Sequence, residues 1–403
     1  MNILFLSTWF PFPPDNGSKI RVYHLLRALA QRHEVTLVSF AWDTAALAQA
    51  KLLRELGVVI QTVPLNPFEV NRASTLRTFL SLRPMASRPI PAMRSLVADV
   101  LQHQTFDAVI ASTEITATYA LETPSGTLRV LEEHNAMSRW AWERYTEQQS
   151  PVQRLRCWLS WQKGRLHEAR LFKRFDLVTM VSEQDRVACL ENLPGYHGSV
   201  AVIPNGVDCV HHRPSLAEAR PHTLIYNGAL TYSANYDAMR YFLAEIYPRI
   251  RQALPEVTLS ITGSTQGVDL NGLQLDESVH LTGYVDDIRL PVAQSAVCVV
   301  PLRQGGGTRL KILEAMALGT PVVATSKGAE GLDGVDGEHL LIADDPAAFA
   351  EATLRLLRDV ALRARLVHNA RALVEAKYDW AHIGAQFAAL VEGLPQKTPR
   401  AHR

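Results

Sequence analysis

Apolar and polar positions along this chain switch repeatedly between two spacings. Short β-branched apolar runs alternate with stretches whose apolar side chains recur every three to four positions, the signature of βαβ units building parallel sheets. In the first half the runs at 2–7, 34–40, 58–65, 106–112, 128–134, 176–182 and 199–203 read as strands. A helix over about 18–31 carries Ile20, Tyr23, Leu26 and Leu29 near one face. From 204 to 221 the text turns to Pro, His and polar residues (PNGVDCVHHRPSLAEARP), which marks a connection between domains. A second series then begins, with strands at 222–228, 257–263, 279–284, 296–302, 321–326 and 339–343 and helices near 236–254, 309–318 and 346–357. A last helix, 380–392, has no strand after it. The pattern predicts an α/β protein of two Rossmann-like, doubly wound domains: 1–210, 211–378, and a terminal helix within 379–394 that closes the second domain or crosses back to the first.

Size and composition agree with two soluble domains. The 403 residues exceed one ordinary α/β core, 47% are hydrophobic and 20% charged, and the formal net charge of +1 gives no global pull toward nucleic acid. Cys157, Cys189, Cys209 and Cys298 are scattered without a CxxC pair, so they read as reduced thiols in a reducing compartment. Cys209 with His211 and His212 suits loop filler better than a metal site. The opening MNILFLSTWFPFPP has no preceding basic residue and no small-residue cleavage site, so a buried first strand is expected in place of a signal peptide. No apolar run approaches the ~18 residues of a membrane span. The expectation is a cytoplasmic protein, at most attached to the inner membrane face.

Four segments carry candidate chemistry. After the first strand, TWFPFPPDNGSKIR turns at Asp15-Asn16-Gly17 and opens a helix at about Ser18. Gly17 permits close backbone approach, and the free N–H groups of the helix start, with Lys19 and Arg21 nearby, suit a phosphate as well as they suit a plain capped turn. In EEHNAMSRW, His134 ends a strand, where ligands of open sheets gather; its imidazole serves either a sugar hydroxyl or the core. IPNGVD places Asn205 in a tight turn at the domain junction.

The fourth segment is PLRQGGGTRLKILEAMALGTPVVAT, residues 301–325. A strand runs into Gly305-Gly306-Gly307, and a helix beginning at about Thr308 offers unpaired N–H donors to a diphosphate. Arg309 and Lys311 lie in its first turn, where cations oppose the helix dipole, and a polyphosphate would offset that cost. Glu314, one turn on, is placed to accept ribose hydroxyls, and Gly319 ends the helix before Pro321. The absence of GxGxxG argues against a dinucleotide dehydrogenase.

In order along nearly the whole chain, FPPDNG, EHN, VSEQD, IPNGVD, NGAL, LTGYVDD and EAMALGTPVVAT resemble the retaining glycosyltransferase family 4. The resemblance implies the GT-B fold, two Rossmann-like domains facing across a cleft, and transfer of a hexosyl group from a nucleotide diphosphate sugar to a hydroxyl acceptor with retention of configuration. It places Gly17 and Ser18 near the donor diphosphate and His134 beside the transferred sugar. Asn205 and Gly228 belong to the donor loops, Tyr284 lies against the base, Gly306, Gly307 and Thr308 meet the phosphates, and Glu314 holds the ribose.

Two departures stand out. Many members carry an E-x7-E pair; Glu314 matches its second Glu, but Gly306 occupies the first position. Many also carry Arg and Lys after the strand that opens the second domain, where this chain reads NGALTYSANYDA. Arg309 and Lys311 are expected to supply that charge.

Two stretches are locally basic. Residues 71–98 hold Arg72, Arg77, Arg83, Arg88 and Arg94 and no acid; 154–174 hold seven cations and only Glu168, interleaved with Trp158, Trp161 and Phe172. They read either as a solvated helix face or as a contact with anionic lipid headgroups or a lipid-linked, cell-envelope polysaccharide precursor. No nucleic-acid recognition motif accompanies them. No DxD-type pair points to a metal, since Asp286-Asp287 suits a helix start, and no cofactor is expected beyond the nucleotide-sugar co-substrate. The alternatives are a nucleotide-sugar epimerase of the same fold and an inactive sugar- or nucleotide-binding homologue.

Overall fold

The computed structural model describes residues 1–42, 47–48, 50–69, 89–148, 150–193, 195–196, 198–305 and 309–395. The chain divides into two compact units, Met1–Pro204 with Ile383–Arg403, and Asn205–His382.

The first unit has seven parallel strands: β1 (Asn2–Ser7), β2 (Glu34–Phe40), β3 (Val59–Val63), β4 (Ala108–Ser112), β5 (Leu128–Glu132), β6 (Leu177–Met180) and β7 (Ser199–Val202), in the order β3-β2-β1-β4-β5-β6-β7. Its helices are α1 (Gly17–Ala30), α2 (Lys51–Glu55), α3 (Pro91–His103), α4 (Glu114–Ala120), α5 (Met137–Glu147), α6 (Pro151–Phe172) and α7 (Glu183–Glu191). Helices on a parallel sheet bury both faces of the central strands, so Ile3, Leu4, Phe5 and Leu6 are all fully buried.

The second unit has six strands, β8 (Arg220–Asn227), β9 (Thr258–Thr262), β10 (Val279–Gly283), β11 (Ser295–Val300), β12 (Val322–Ala324) and β13 (Leu341–Ile342), ordered β10-β9-β8-β11-β12-β13 and again parallel. Its helices are α8 (Ser233–Tyr241), α9 (Tyr247–Ala253), α10 (Arg289–Ala293), α11 (Leu310–Leu318), α12 (Pro346–Arg358) and α13 (Val360–Lys377). The last helix, α14 (Trp380–Glu392), begins in this unit, but from Ile383 it belongs to the first.

In each sheet the strand order reverses at one place, between β1 and β4 in the first unit and between β8 and β11 in the second. The carboxyl ends of strands at such a reversal leave a crevice, where open α/β sheets receive ligands.

Three expectations change. The helix read at 236–254 is two helices joined by a π turn, Phe242–Ile246, just before Pro248, whose missing N–H and ring do not fit a regular α-helix interior. Helix α13 had not been read; its apolar positions Leu362, Leu366, Ala370 and Val374 come once per turn among Arg, His and Asn, so they make a narrow stripe. Helix α1 is rotated from its expected face: Val22, Leu25, Leu26 and Leu29 are buried, and so is Arg21, whereas Ile20 and Tyr23 are partly exposed.

In the first unit, α14 lies on α1 so closely that a Cβ at Gly384 would fall 2.5 Å from the Ala28 Cβ. Glu392 meets Arg32 at 3.0 Å and His33 at 2.8 Å. Among the described residues no helix is long and apolar enough to cross a membrane. The four cysteines are free, with Cys189, Cys209 and Cys298 buried and Cys157 partly so.

Candidate active site

In the first unit the reversal brings together the β1–α1 loop, the end of β4 and the end of β5. The Asn16 side chain caps α1 by accepting from the Lys19 N–H at 3.1 Å, so the helix starts at Gly17 and presents Ser18 in its first turn. Ser112 ends β4 in register with Glu132, which ends β5. Glu132 is fully buried; it accepts from Arg21 Nε, and its Oε2 from Ser112 Oγ at 2.9 Å. His134 Nε2 lies 3.1 Å from Glu132 Oε2 and 3.0 Å from Ser112 Oγ, while Nδ1 faces Ser18 Oγ at 3.1 Å. Both predicted groups of this unit, Ser18 and His134, therefore belong to one hydrogen-bonded network. Burial alone would raise the Glu132 carboxyl, but Arg21 and His134 beside it, each also hydrogen-bonded, hold it well below the usual carboxylate range.

The cations expected at the first loop are not open phosphate ligands. Arg21 is buried against Glu132 and also donates from Nη1 to the Pro204 carbonyl at 3.0 Å. Lys19 pairs with Asp15 at 3.0 Å. A carboxylate inside an apolar strand (LRVLEEH) was the signal that could have found this pairing, because a buried charge needs a partner.

In the second unit the reversal joins the ends of β8 and β11 to α11. Lys311 Nζ donates to Tyr226 Oη at 2.8 Å and to Asn235 Oδ1 at 3.1 Å, and lies 4.0 Å from the centre of the Tyr226 ring. Burial pulls its pKa down to about 7; the nearby Arg309 adds to this, and Cys298 and Glu314 oppose it. Glu314 Oε2 accepts from Asn227 Nδ2 at 3.0 Å, and burial pushes its carboxyl up to about 7 against the pull of Lys311 and Asn227. Gly228 is forced by proximity: a Cβ there would lie 2.7 Å from Lys311 Nζ and 3.0 Å from Asn235 Nδ2. Sequence reasoning missed Tyr226 and Asn227, since the end of a buried strand shows no chemistry until α11 is laid beside it.

The paired cations Arg309 and Lys311 have separate surroundings. Helix α11 begins at Leu310 with Arg309 as its N-cap residue, one to two positions later than expected. The Arg309 guanidinium is buried and donates to the carbonyls of Gly305, at 2.6 Å, and Lys327, at 3.1 Å, so it clamps the glycine loop to the loop after β12. Gly319 ends α11 in the left-handed region at φ +78°, as expected for a helix stop. Tyr284 follows β10 and is 67% exposed, whereas Asn205 is buried. Gly306, Gly307 and Thr308 lie outside the described residues, so their expected phosphate contacts have no geometry to report. Among the described residues no group of three or more His, Cys, Asp or Glu is arranged to hold a metal ion.

Known proteins match on both units. Residues 15–211 match the family described as Glycosyltransferase Family 4, and residues 221–359 match the one described as Glycosyl transferases group 1. The chain belongs to glycosyltransferase family 4. It has the GT-B fold and is an enzyme that uses a nucleotide-sugar donor.

It is 20% identical to an uncharacterized 44.6 kDa protein in the cps region of Klebsiella pneumoniae, over 94% of this chain and 96% of that one. It is 34% identical to the phosphatidyl-myo-inositol mannosyltransferase of Mycobacterium leprae, over 48% of this chain and 54% of that protein. Among solved structures, Anabaena HepE in complex with UDP and glucose superposes with a TM-score of 0.70 at 17% identity, over 98% of this chain and 100% of that one.

Proposed function

We propose that this glycosyltransferase moves a hexosyl group from a nucleotide diphosphate sugar to a hydroxyl acceptor with retention of configuration. The acceptor we propose is a lipid-linked or polysaccharide precursor, met at the inner face of the cytoplasmic membrane. The observation that carries the donor half is Lys311, a half-buried ammonium at a strand reversal whose hydrogen-bond partners, Tyr226 Oη and Asn235 Oδ1, are neutral. A diphosphate supplies the missing anion, and as charge develops on the leaving group a fixed cation stabilises it without reorganisation. Glu314 takes the ribose hydroxyls and Tyr284 the base. Arg309 acts on the phosphate loop by holding Gly305, and the loop backbone at Gly228, Gly306, Gly307 and Thr308 meets the phosphates.

In the first unit, Gly17 and Ser18 approach the diphosphate, and His134 serves the transferred sugar. Its Nδ1 faces the rotatable Ser18 hydroxyl, which a sugar hydroxyl can replace. Asn205 orders the junction turn. No metal enters this mechanism, so turnover should be the same in EDTA. The acceptor half draws support from two relatives: the cps-region protein of Klebsiella and the mycobacterial transferase, whose name specifies a phospholipid acceptor.

The test is a thermal-shift panel with UDP, GDP, ADP and their sugars. One nucleotide should raise the melting temperature selectively by mass action, and its sugar should release nucleoside diphosphate when a membrane extract is added. Conversion of the donor alone into an epimer, or binding without release, would refute the reading.

A further inference from the structure

Aromatic side chains gather at two places on the surface of the first unit. In the basic stretch 154–174, which folds as α6, Trp161 packs on Trp142 and Tyr145 of α5. The Trp142 and Trp161 rings are 4.5 Å apart and Tyr145 lies nearly parallel to Trp161 at 6.5 Å, so the two helices form a hairpin. Arg154 and Arg165 sit over Tyr145 and Trp161 at 5.1 and 5.3 Å, and Phe172 is buried. Those rings already have partners in the protein. In the basic stretch before it, Arg94 pairs with Glu122 at 2.8 Å, and Arg72, Arg77, Arg83 and Arg88 lie outside the described residues.

The second gathering lies at the carboxyl edge of the sheet. Strands β1, β2 and β3 are neighbours, and an aromatic residue follows each: Trp9 after Ser7, Trp42 after Phe40 and Phe68 after Val63. Local hydrogen bonds set the three turns. Ser7 Oγ donates to the Trp9 carbonyl at 2.7 Å and accepts from the Trp9 N–H at 3.2 Å. Ala41, next to Trp42, donates its N–H to the Val63 carbonyl at 2.9 Å, and Asn66 Oδ1 accepts from the Phe68 N–H at 3.0 Å. The Trp9 and Phe68 rings are 4.8 Å apart and inclined by 33°; Trp42 lies 5.5 Å from Trp9 and stands edge-on to Phe68 at 85°. Two rings make a floor and the third stands across it. Trp42 and Phe68 are 37% and 41% exposed and Trp9 is partly so, and among the described residues no cation sits over any of them. Rings held open to water in this way lose hydration free energy that a ligand restores.

Hydroxyl groups continue the same edge toward His134. Thr8, beside Trp9, places Oγ1 3.0 Å from Thr113 Oγ1, and Thr113 follows Ser112, whose Oγ lies 3.0 Å from His134 Nε2. Thr113 is partly exposed, and its backbone stands at φ +72° and ψ 158°, where a β-branched side chain is strained. Its N–H donates to the Glu132 carbonyl at 2.8 Å, which with the Thr8 contact holds it in place. Strain kept at a strand end beside the His134 network points to a function for this hydroxyl.

Open π faces beside hydroxyls match a pyranose ring, which offers a face of weakly positive C–H groups to the negative face of an aromatic ring and a rim of hydroxyls to other hydroxyls. We propose that Trp9, Trp42 and Phe68 form a stacking platform for a pyranose ring of the acceptor, and that the Thr113 hydroxyl takes one of that ring's hydroxyls. This rests on the transferase reading and deepens it, because it names the acceptor group as a saccharide.

The experiment uses the full chain, the nucleoside diphosphate selected by the thermal-shift panel with its sugar, and the methyl pyranosides of glucose, mannose and galactose as probes. Saturation-transfer NMR should show contact at the ring C–H protons of at least one probe, and that probe should release nucleoside diphosphate from the donor. Trp42→Ala and Phe68→Ala should each raise the acceptor KM by about tenfold, the upper worth of an aromatic contact, and leave the donor KM unchanged. Trp42→Phe, which keeps a ring, should recover most of the loss; Thr113→Val should raise the acceptor KM and Thr113→Ser should not. Every variant should keep the wild-type thermal shift with the nucleoside diphosphate, which shows that it is folded. Wild-type acceptor KM in both ring variants, or saturation transfer to none of the probes while a membrane extract still elicits release, overturns the proposal and leaves the transferase reading standing. Transfer to 1-octanol in preference to every pyranoside overturns it in favour of a hydrocarbon contact. Saturation transfer that needs the rings, without release from the donor, upholds the sugar platform and removes the transferase reading.

Discussion

The two strand reversals hold charge in opposite ways. At the first, the Glu132 carboxylate meets the Arg21 guanidinium, His134 and Ser112, so the charges are matched inside the protein. At the second, the Lys311 ammonium rests on a tyrosine hydroxyl and an amide oxygen, and the nearby carboxylate of Glu314 is hydrogen-bonded to Asn227 instead. A matched buried pair is part of the scaffold, because removing one member strands the other in a low dielectric. An unmatched, desolvated cation weakens the empty protein and gains most when an anion arrives. The first arrangement positions His134; the second waits for the donor.

The sharpest way to break this comparison is to remove one charge from each side. Arg21→Ala should destabilise the protein by about 3–5 kcal/mol in denaturant unfolding, since Glu132 is left buried and unpaired. Adding Glu132→Gln should recover part of that loss. Lys311→Met should leave the unfolding free energy of the ligand-free protein within about 1 kcal/mol or raise it, while turnover at a fixed donor concentration falls by about 100-fold. Equal stability losses for Arg21→Ala and Lys311→Met would dissolve the distinction.

Titration separates the sites more finely. The free Lys311 pKa is drawn down to about 7, and a bound diphosphate returns it upward. Binding therefore takes up a proton above pH 7, and nucleoside diphosphate affinity should fall by up to about tenfold per pH unit there; Lys311→Met should flatten the slope. Stability has the opposite sign. A lysine with a depressed folded pKa binds fewer protons when folded, so its share of stability grows as pH rises from about 7 toward the ordinary lysine value. Glu314 and the buried Glu114 are both raised to about 7, mainly by burial, and their shares are lost as pH rises from the ordinary carboxylate value to about 7. The smallest effect is expected from Gly228→Ala. The new Cβ meets the flexible tip of Lys311 at 2.7 Å and the Asn235 amide at 3.0 Å, and both side chains can give by small shifts, so stability should change by about 1 kcal/mol and donor affinity by a few-fold in calorimetry.

Much of this architecture was legible in the chain because parallel strands buried on both faces are nearly continuous apolar runs. The strand read at 128–134 is Leu128–Glu132, and the one at 222–228 is Arg220–Asn227. The errors fall where periodicity carries little information. Helix α13 shows only one apolar residue per turn, and the hairpin of α5 and α6 was visible as charge composition before it was visible as structure. The sequence marked the strand-end turns at Gly17 and Gly228 and the helix position of Glu314, and the structure puts them beside the strand reversal of their own sheet. The partners that decide their chemistry were not legible, because Arg21 with Glu132 and Lys311 with Tyr226 are separated by 111 and 85 positions.

The passage of α14 into the first unit bears on the order in which the molecule is made. The helix that seats Gly384 against Ala28 and brings Glu392 to Arg32 is translated roughly 180 residues after the first unit's sheet is complete. At ordinary elongation rates that is on the order of ten to forty seconds during which the nascent first unit lacks its own last helix. The second unit, though synthesised later, is the first to have all of its chain. A gene cut after Pro204 would release an unfinished body, whereas moving the codons for α14 to the front would let the first unit close before the second is begun.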